Sequence, residues 1–177
     1  IENQWLFGGQ GANRVFPDYW DNFANLIPEA ERHDMLGAYH RRLNHQDPKR
    51  QKQAADAWSG WEISISKLHH DPEAVSAFIA SPAGVAMAKL ECHYMFNRCF
   101  LTDNQLLNNM DKINHIPSFI VQGRYDTVCA PASAWALHQA WPGSEIHFVT
   151  EAGHSMTDPA LAKKLVEITD IIKNNSN

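Results

Sequence analysis

The sequence predicts an α/β protein: a short parallel βαβ unit at the C-terminal end, preceded by a mostly α-helical region. Two observations carry this. In the first two thirds of the chain, helix starts repeat one device, a capping side chain followed by Pro. From Ile116 onward, apolar runs of strand length alternate with segments of helix length. A helical domain over 1–113 and a βαβα part over 114–177 follow as the expected organisation.

The helical elements come first. Asp47-Pro48, Asp71-Pro72 and Ser81-Pro82 each place a capping side chain before a Pro. Pro costs nothing at the first helical position, because the N–H it lacks has no intrahelical partner there, and the side chain before it accepts from an N–H that remains. Ile27-Pro28 opens another helix with a poorer cap, so four or five short helices are expected between residues 18 and 112. The later elements are a strand over 118–122, a helix over 132–140, a strand over 145–150 and a helix over 159–172. Two apolar strands joined by a crossover of about twenty residues imply a right-handed parallel unit. Parallel sheets are normally covered on both faces and hold more strands than two, so an unpaired apolar edge is expected to be left over. The chain opens on Ile1-Glu2-Asn3-Gln4 rather than Met, and the expectation is a fragment or a processed product.

Composition narrows the function classes. The 177 residues include 44% hydrophobic residues and six Trp, which is the composition of a globular protein rather than a disordered one. Fifteen basic against twenty acidic residues give a net charge of -5, the wrong sign for a chain that neutralises phosphates, so no nucleic-acid partner is expected. No apolar run approaches the roughly 18 to 20 residues of a membrane span, and no membrane partner is expected. Three cysteines are too few for a disulfide framework, and their odd number fits a reducing, cytoplasmic interior.

Two residues beyond the strand ends carry the candidate chemistry. Asp126 follows the first strand in Gly123-Arg124-Tyr125-Asp126-Thr127-Val128-Cys129, and His154 follows the second in Ala152-Gly153-His154-Ser155. Functional groups of open α/β sheets gather outside the carboxyl ends of the strands, which places both on one rim. There a carboxylate holds one ring nitrogen of the imidazole protonated and leaves the other to take a proton from a nucleophile. The alternative is a turn Asp that caps the next helix and a surface His beside a Gly turn.

Two glutamates stand on apolar helix stripes. Glu62 shares a face with Gln51, Ala55, Trp58 and Ile65, and Glu91 with Met87, Tyr94 and Met95, at spacings of three and four. A carboxylate among aromatics is costly unless a cation or hydrogen bonds meet it. The alternative is that each reaches water at the margin of its stripe or pairs with an Arg. Cys92, His93 and Cys99 have no metal-ligand spacing, and neither a metal nor another cofactor is expected. The Trp58 to Trp61 run reads as core.

These motifs resemble prolyl aminopeptidase (proline iminopeptidase), a serine peptidase of the α/β-hydrolase fold. Besides the Asp126 and His154 segments, the resemblance extends through Phe16-Pro17-Asp18-Tyr19-Trp20, Ala38-Tyr39-His40-Arg41-Arg42-Leu43, Ala57-Trp58-Ser59-Gly60-Trp61-Glu62 and Glu91-Cys92-His93-Tyr94. It implies that the helical region is a cap domain over an active site, and that 114–177 is the C-terminal part of the hydrolase core. It further implies that Asp126 and His154 belong to the catalytic triad and that Glu62 and Glu91 bind the charged amino terminus of a peptide beginning with proline. Cys129, on this resemblance, is a near-site thiol whose modification blocks access; having no base of its own, it reads as a bystander.

The chain departs from the family's pattern in its nucleophile, and the oxyanion-hole segment and the first strands of the sheet are expected to be missing from it as well. None of its ten serines stands in Gly-x-Ser-x-Gly, the strand-to-helix elbow such an enzyme needs upstream of its acid and base. The nearest, Gly153-His154-Ser155-Met156-Thr157, has Thr where the tight turn needs Gly, and Ser155 reads as a turn residue. The expectation is therefore the C-terminal portion of a serine aminopeptidase, inactive alone, whose open sheet edge or cap surface is buried in a homo-oligomer. The rival readings are a non-catalytic module that binds peptide amino termini and a different cap-bearing hydrolase, an esterase or epoxide hydrolase.

Overall fold

The computed structural model describes residues 3–175. It is mostly helical, with a small two-stranded parallel sheet. The chain divides into two compact units, one formed by residues 1–65 and 70–101, the other by 66–69 and 102–177.

Among the described residues the first unit holds five α-helices, the last residue of α3 falling in the second unit: α1 (Pro17–Ala24), α2 (Met35–Leu43), α3 (Pro48–Ser66), α4 (Pro72–Ala80) and α5 (Pro82–Phe96). Their starts follow the capping logic. Asp71 accepts from the Ala74 N–H at 3.0 Å, and Ser81 Oγ from the Gly84 N–H at 3.4 Å. The segment after Pro28 departs from the expected helix: residues Glu29–Asp34 form 3₁₀ turns, and the α-helix begins only at Met35. The reason is local, because Asp34 accepts from the Gly37 N–H at 3.0 Å and so caps a new helix at that point.

Aromatic packing around α3 makes the core of this unit. Trp58 and Trp61 are 0% and 2% exposed. Phe7 stacks on Trp58 at 4.3 Å and Phe23 on Tyr39 at 4.4 Å, while Trp58 meets Tyr39 edge-on. Their polar ends are satisfied: the Tyr39 hydroxyl donates to the Phe23 carbonyl at 2.7 Å, and Trp61 Nε1–H to the Leu6 carbonyl at 3.1 Å. On α5 the buried face is Gly84, Ala88 and Cys92 rather than the Met87–Tyr94 stripe; Tyr94 is half exposed. Small residues at intervals of four let the helix approach its neighbours closely, and Ser59 Oγ–H reaches the Gly84 carbonyl at 2.7 Å.

The second unit contains β1 (Ser118–Gly123), α6 (Pro131–Ala140), β2 (Ser144–Val149) and α7 (Pro159–Asn175). The strands run parallel in register from Ser118 opposite Ser144 to Gly123 opposite Val149, and α6 and α7 both pack against them. Phe119, Ile120 and Val121 form the continuous apolar run typical of a strand covered on both faces, yet all three are only partly buried. Among the described residues no single helix is long and apolar enough to cross a membrane; α4 and α5 are so only in combination, and they bend by 82° at their junction.

Candidate active site

The site is assembled where the two strands end. Backbone pairing continues past β1, with Arg124 N–H donating to the Val149 carbonyl at 2.8 Å and Tyr125 N–H to the Ala152 carbonyl at 3.0 Å. This pairing brings the turn after β1 against the turn after β2. Gly123 is what permits the approach: a Cβ there would stand 1.9 Å from the Gly153 carbonyl oxygen. Asp126 and His154 emerge from these two turns.

Asp126 is 7% exposed, and both of its oxygens are engaged. Oδ1 accepts from the Val128 N–H at 3.0 Å and the Cys129 N–H at 2.8 Å, which fixes the carboxylate plane from its own turn. Oδ2 accepts from Gln122 Nε2–H at 3.0 Å and faces His154 Nδ1 at 3.1 Å. A carboxylate can only accept, so Nδ1 carries a proton, and Nε2 of the neutral ring keeps its lone pair. Asp126 does not cap the next helix, whose start at Pro131 has no side-chain cap; one oxygen holds its own turn and the other meets the imidazole.

The electrostatics follow the geometry. The hydrogen bond to Asp126 is the largest influence on His154; a second comes from the Cys129 thiol, and partial burial of the ring opposes both. The result is a pKa raised from 6.5 to about 10. Cys129, expected to be a bystander without a base, thus has the imidazole as its neighbour.

The two glutamates lie in the other unit. Glu62 is buried at 8% exposure on the α3 face that carries Trp58 and Ile65. Glu91 is partly buried and accepts from Trp58 Nε1–H at 2.7 Å. Its partner is an indole, where the sequence had offered water or an Arg. Among the described residues no group of three or more His, Cys, Asp or Glu is placed to hold a metal ion.

Three contributors escaped the sequence reading. Gln122 holds Asp126 from within the strand, where it reads as an ordinary strand residue. Ser66, the last residue of α3, accepts with its carbonyl from the His154 N–H at 2.8 Å and the Ser155 N–H at 2.9 Å, a contact that no local pattern announces. Asp158 is buried at 6% exposure; the signal for it was present, since Asp158-Pro159 repeats the cap-and-Pro device of Asp47 and Asp71.

Comparison with known proteins adds a likeness in sequence. No protein-family model matches the chain. It is 48% identical over 94% of its length to a probable proline iminopeptidase of Leptolyngbya boryana, of which it covers 52%. It is 42% identical over 97% of its length to a proline iminopeptidase of Arabidopsis thaliana, covering 46%, and 41% identical over 96% to one of Xanthomonas citri, covering 54%. The chain is therefore a sequence relative of the proline iminopeptidases along nearly its whole length, and it spans about half the length of the curated relatives it matches.

Proposed function

From that relation as premise, we propose that the chain is the C-terminal, acid–base and amino-terminus-recognising portion of a serine aminopeptidase that releases N-terminal proline from peptides. The observation that supports this most is the 3.1 Å approach of His154 Nδ1 to a buried, fully engaged Asp126. The nucleophilic Ser and the oxyanion-binding segment are supplied from outside these 177 residues. The Ser hydroxyl attacks the carbonyl of the N-terminal proline as His154 Nε2 takes its proton. The proton then passes to the leaving amine, and water, deprotonated by the same nitrogen, hydrolyses the acyl-enzyme. Asp126 orients the ring and stabilises the imidazolium throughout. Glu62 and Glu91 hold the substrate ammonium through charge-assisted hydrogen bonds, which an internal peptide segment has no group to make.

A pKa of about 10 means that His154 of this chain is charged at neutral pH, whereas a base must start neutral. Covering the ring with the nucleophile-bearing segment disfavours the charged form and brings its pKa down. On this reading the chain alone is inactive for two reasons: none of its serines stands in the elbow motif of a nucleophile, and its base is already protonated.

The test is reconstitution. Joined to the nucleophile-bearing half of a relative, the chain is expected to release naphthylamine from proline β-naphthylamide, and Glu91→Gln is expected to raise KM at least about tenfold, the usual worth of a lost charge-assisted contact. Turnover of simple esters but not of the amide by the joined protein would instead favour an esterase. In isolation, the partly exposed apolar strands are expected to be covered by a second copy of the chain. Light scattering at high protein concentration is the check, and a strict monomer would rule that association out.

A further inference from the structure

We propose that Asp158 is a positioning residue for His154, acting through the Gly153–His154–Ser155 backbone. Asp158 Oδ2 accepts from the Gly153 N–H at 2.7 Å and from the Leu68 N–H at 3.2 Å. Its own N–H donates to the Ser155 carbonyl at 2.9 Å, and its carbonyl accepts from Ala162 N–H at 2.9 Å in the first turn of α7. Asp71, which carries the same Asp-Pro device, turns its carboxylate onto the Ala74 N–H of its own helix. Asp158 instead ties together the histidine turn, the 66–69 segment and the start of α7.

The ties leave the histidine turn little freedom. Successive N–H groups of Gly153, His154 and Ser155 are taken by Asp158 Oδ2 and the Ser66 carbonyl. A Cβ on Gly153 would meet the Ser66 carbonyl oxygen at 2.9 Å and the Leu68 nitrogen at 3.0 Å, so this turn is seated directly on the 66–69 backbone. The imidazole reaches Asp126 from that seat. Removing the Asp158 carboxylate strands two N–H groups, one of them on the residue before His154, and a buried unsatisfied donor drives its backbone to rearrange.

The experiment is an NMR titration of the His154 ring in Asp158→Ala and Asp158→Asn, with thermal unfolding of both. Loss of position is expected to lower the His154 pKa by about one unit in Asp158→Ala, a tenfold change in its proton affinity. Asp158→Asn keeps a side-chain carbonyl for both N–H groups and is expected to retain most of the shift. A role confined to capping α7 would lower the melting temperature and leave the pKa in place. An unchanged pKa in folded Asp158→Ala would overturn the inference. So would an equal fall in Asp158→Asn, since that marks a through-space charge effect. Should Asp158→Ala not fold, Asp158→Asn decides alone: a protected Gly153 amide with a retained pKa supports positioning, and a lost pKa shift overturns it. The catalytic meaning of this inference rests on the proposed role of His154 as base, but the titration does not. A reconstituted enzyme fully active with His154→Ala would refute that role and leave the positioning result standing.

Discussion

Asp126→Asn is expected to cut turnover of the reconstituted enzyme by three to four orders of magnitude, roughly the loss seen when a triad carboxylate is neutralised, with KM little changed. The cause is tautomeric. An amide can present N–H to the ring where the carboxylate only accepts; His154 then carries its proton on Nε2, the nitrogen that has to receive the nucleophile's proton. The Val128 and Cys129 N–H groups hold the amide oxygen at the Oδ1 position and leave the NH2 at the Oδ2 position. There the Gln122 side chain, which donates to the native carboxylate, has to turn its own oxygen to meet it. The same variant has a stability signature in the chain alone. His154 has a folded pKa of about 10 against an ordinary 6.5, so its pairing stabilises the folded form fully below pH 6.5, and that contribution is lost as pH rises towards 10. The stability gap between the native chain and Asp126→Asn should accordingly be widest below pH 6.5 and narrow across the interval to pH 10. Urea unfolding at several pH values measures it.

Gly123→Val is expected to cost the second unit at least about 3 kcal/mol, the upper range for overpacking against atoms that cannot yield. The obstacle is the Gly153 carbonyl, 1.9 Å from the position of a Cβ, with the Ala152 carbonyl 2.9 Å away. Both are backbone, so no side-chain rotation relieves the clash, and moving either would part the turns that hold Asp126 and His154. Gly143 provides the control. Its φ of +85° disfavours a side chain, but nothing lies within 4 Å of its Cβ position, so Gly143→Ala should cost only about 1 to 2 kcal/mol, the left-handed penalty of one residue. A Gly123→Val chain with an unaltered urea midpoint would show that the two turns are not closely seated.

The Asp126–His154 pair was legible because two local patterns, apolar strands followed by turns, obey a topological rule that sends functional groups to one rim. The helix starts were legible for a similar reason: Asp71-Pro72 and Ser81-Pro82 state their own caps. Periodicity misled on α5, where it singled out Met87, Glu91, Tyr94 and Met95 as the apolar face. Close approach there is set by Gly84, Ala88 and Cys92, whose small size matters more than their hydropathy. The restart of α2 at Asp34 was missed because Pro28 is the louder local signal, although the Gly37 N–H answers to Asp34. Contacts made by main-chain atoms at long range, such as the Ser66 carbonyl under His154, leave no mark on residue type. Glu91 illustrates the middle case: the sequence showed that a carboxylate on that face needs a partner, and only the fold names the Trp58 indole.

The pairing of Asp126 with His154 underlies the proposed catalysis, and titration of the His154 ring resonances by NMR in the isolated chain tests it most directly. The expected midpoint lies well above 6.5, towards 10, and returns close to 6.5 in Asp126→Asn. A midpoint near 6.5 in the native chain, unmoved by that substitution, would contradict it.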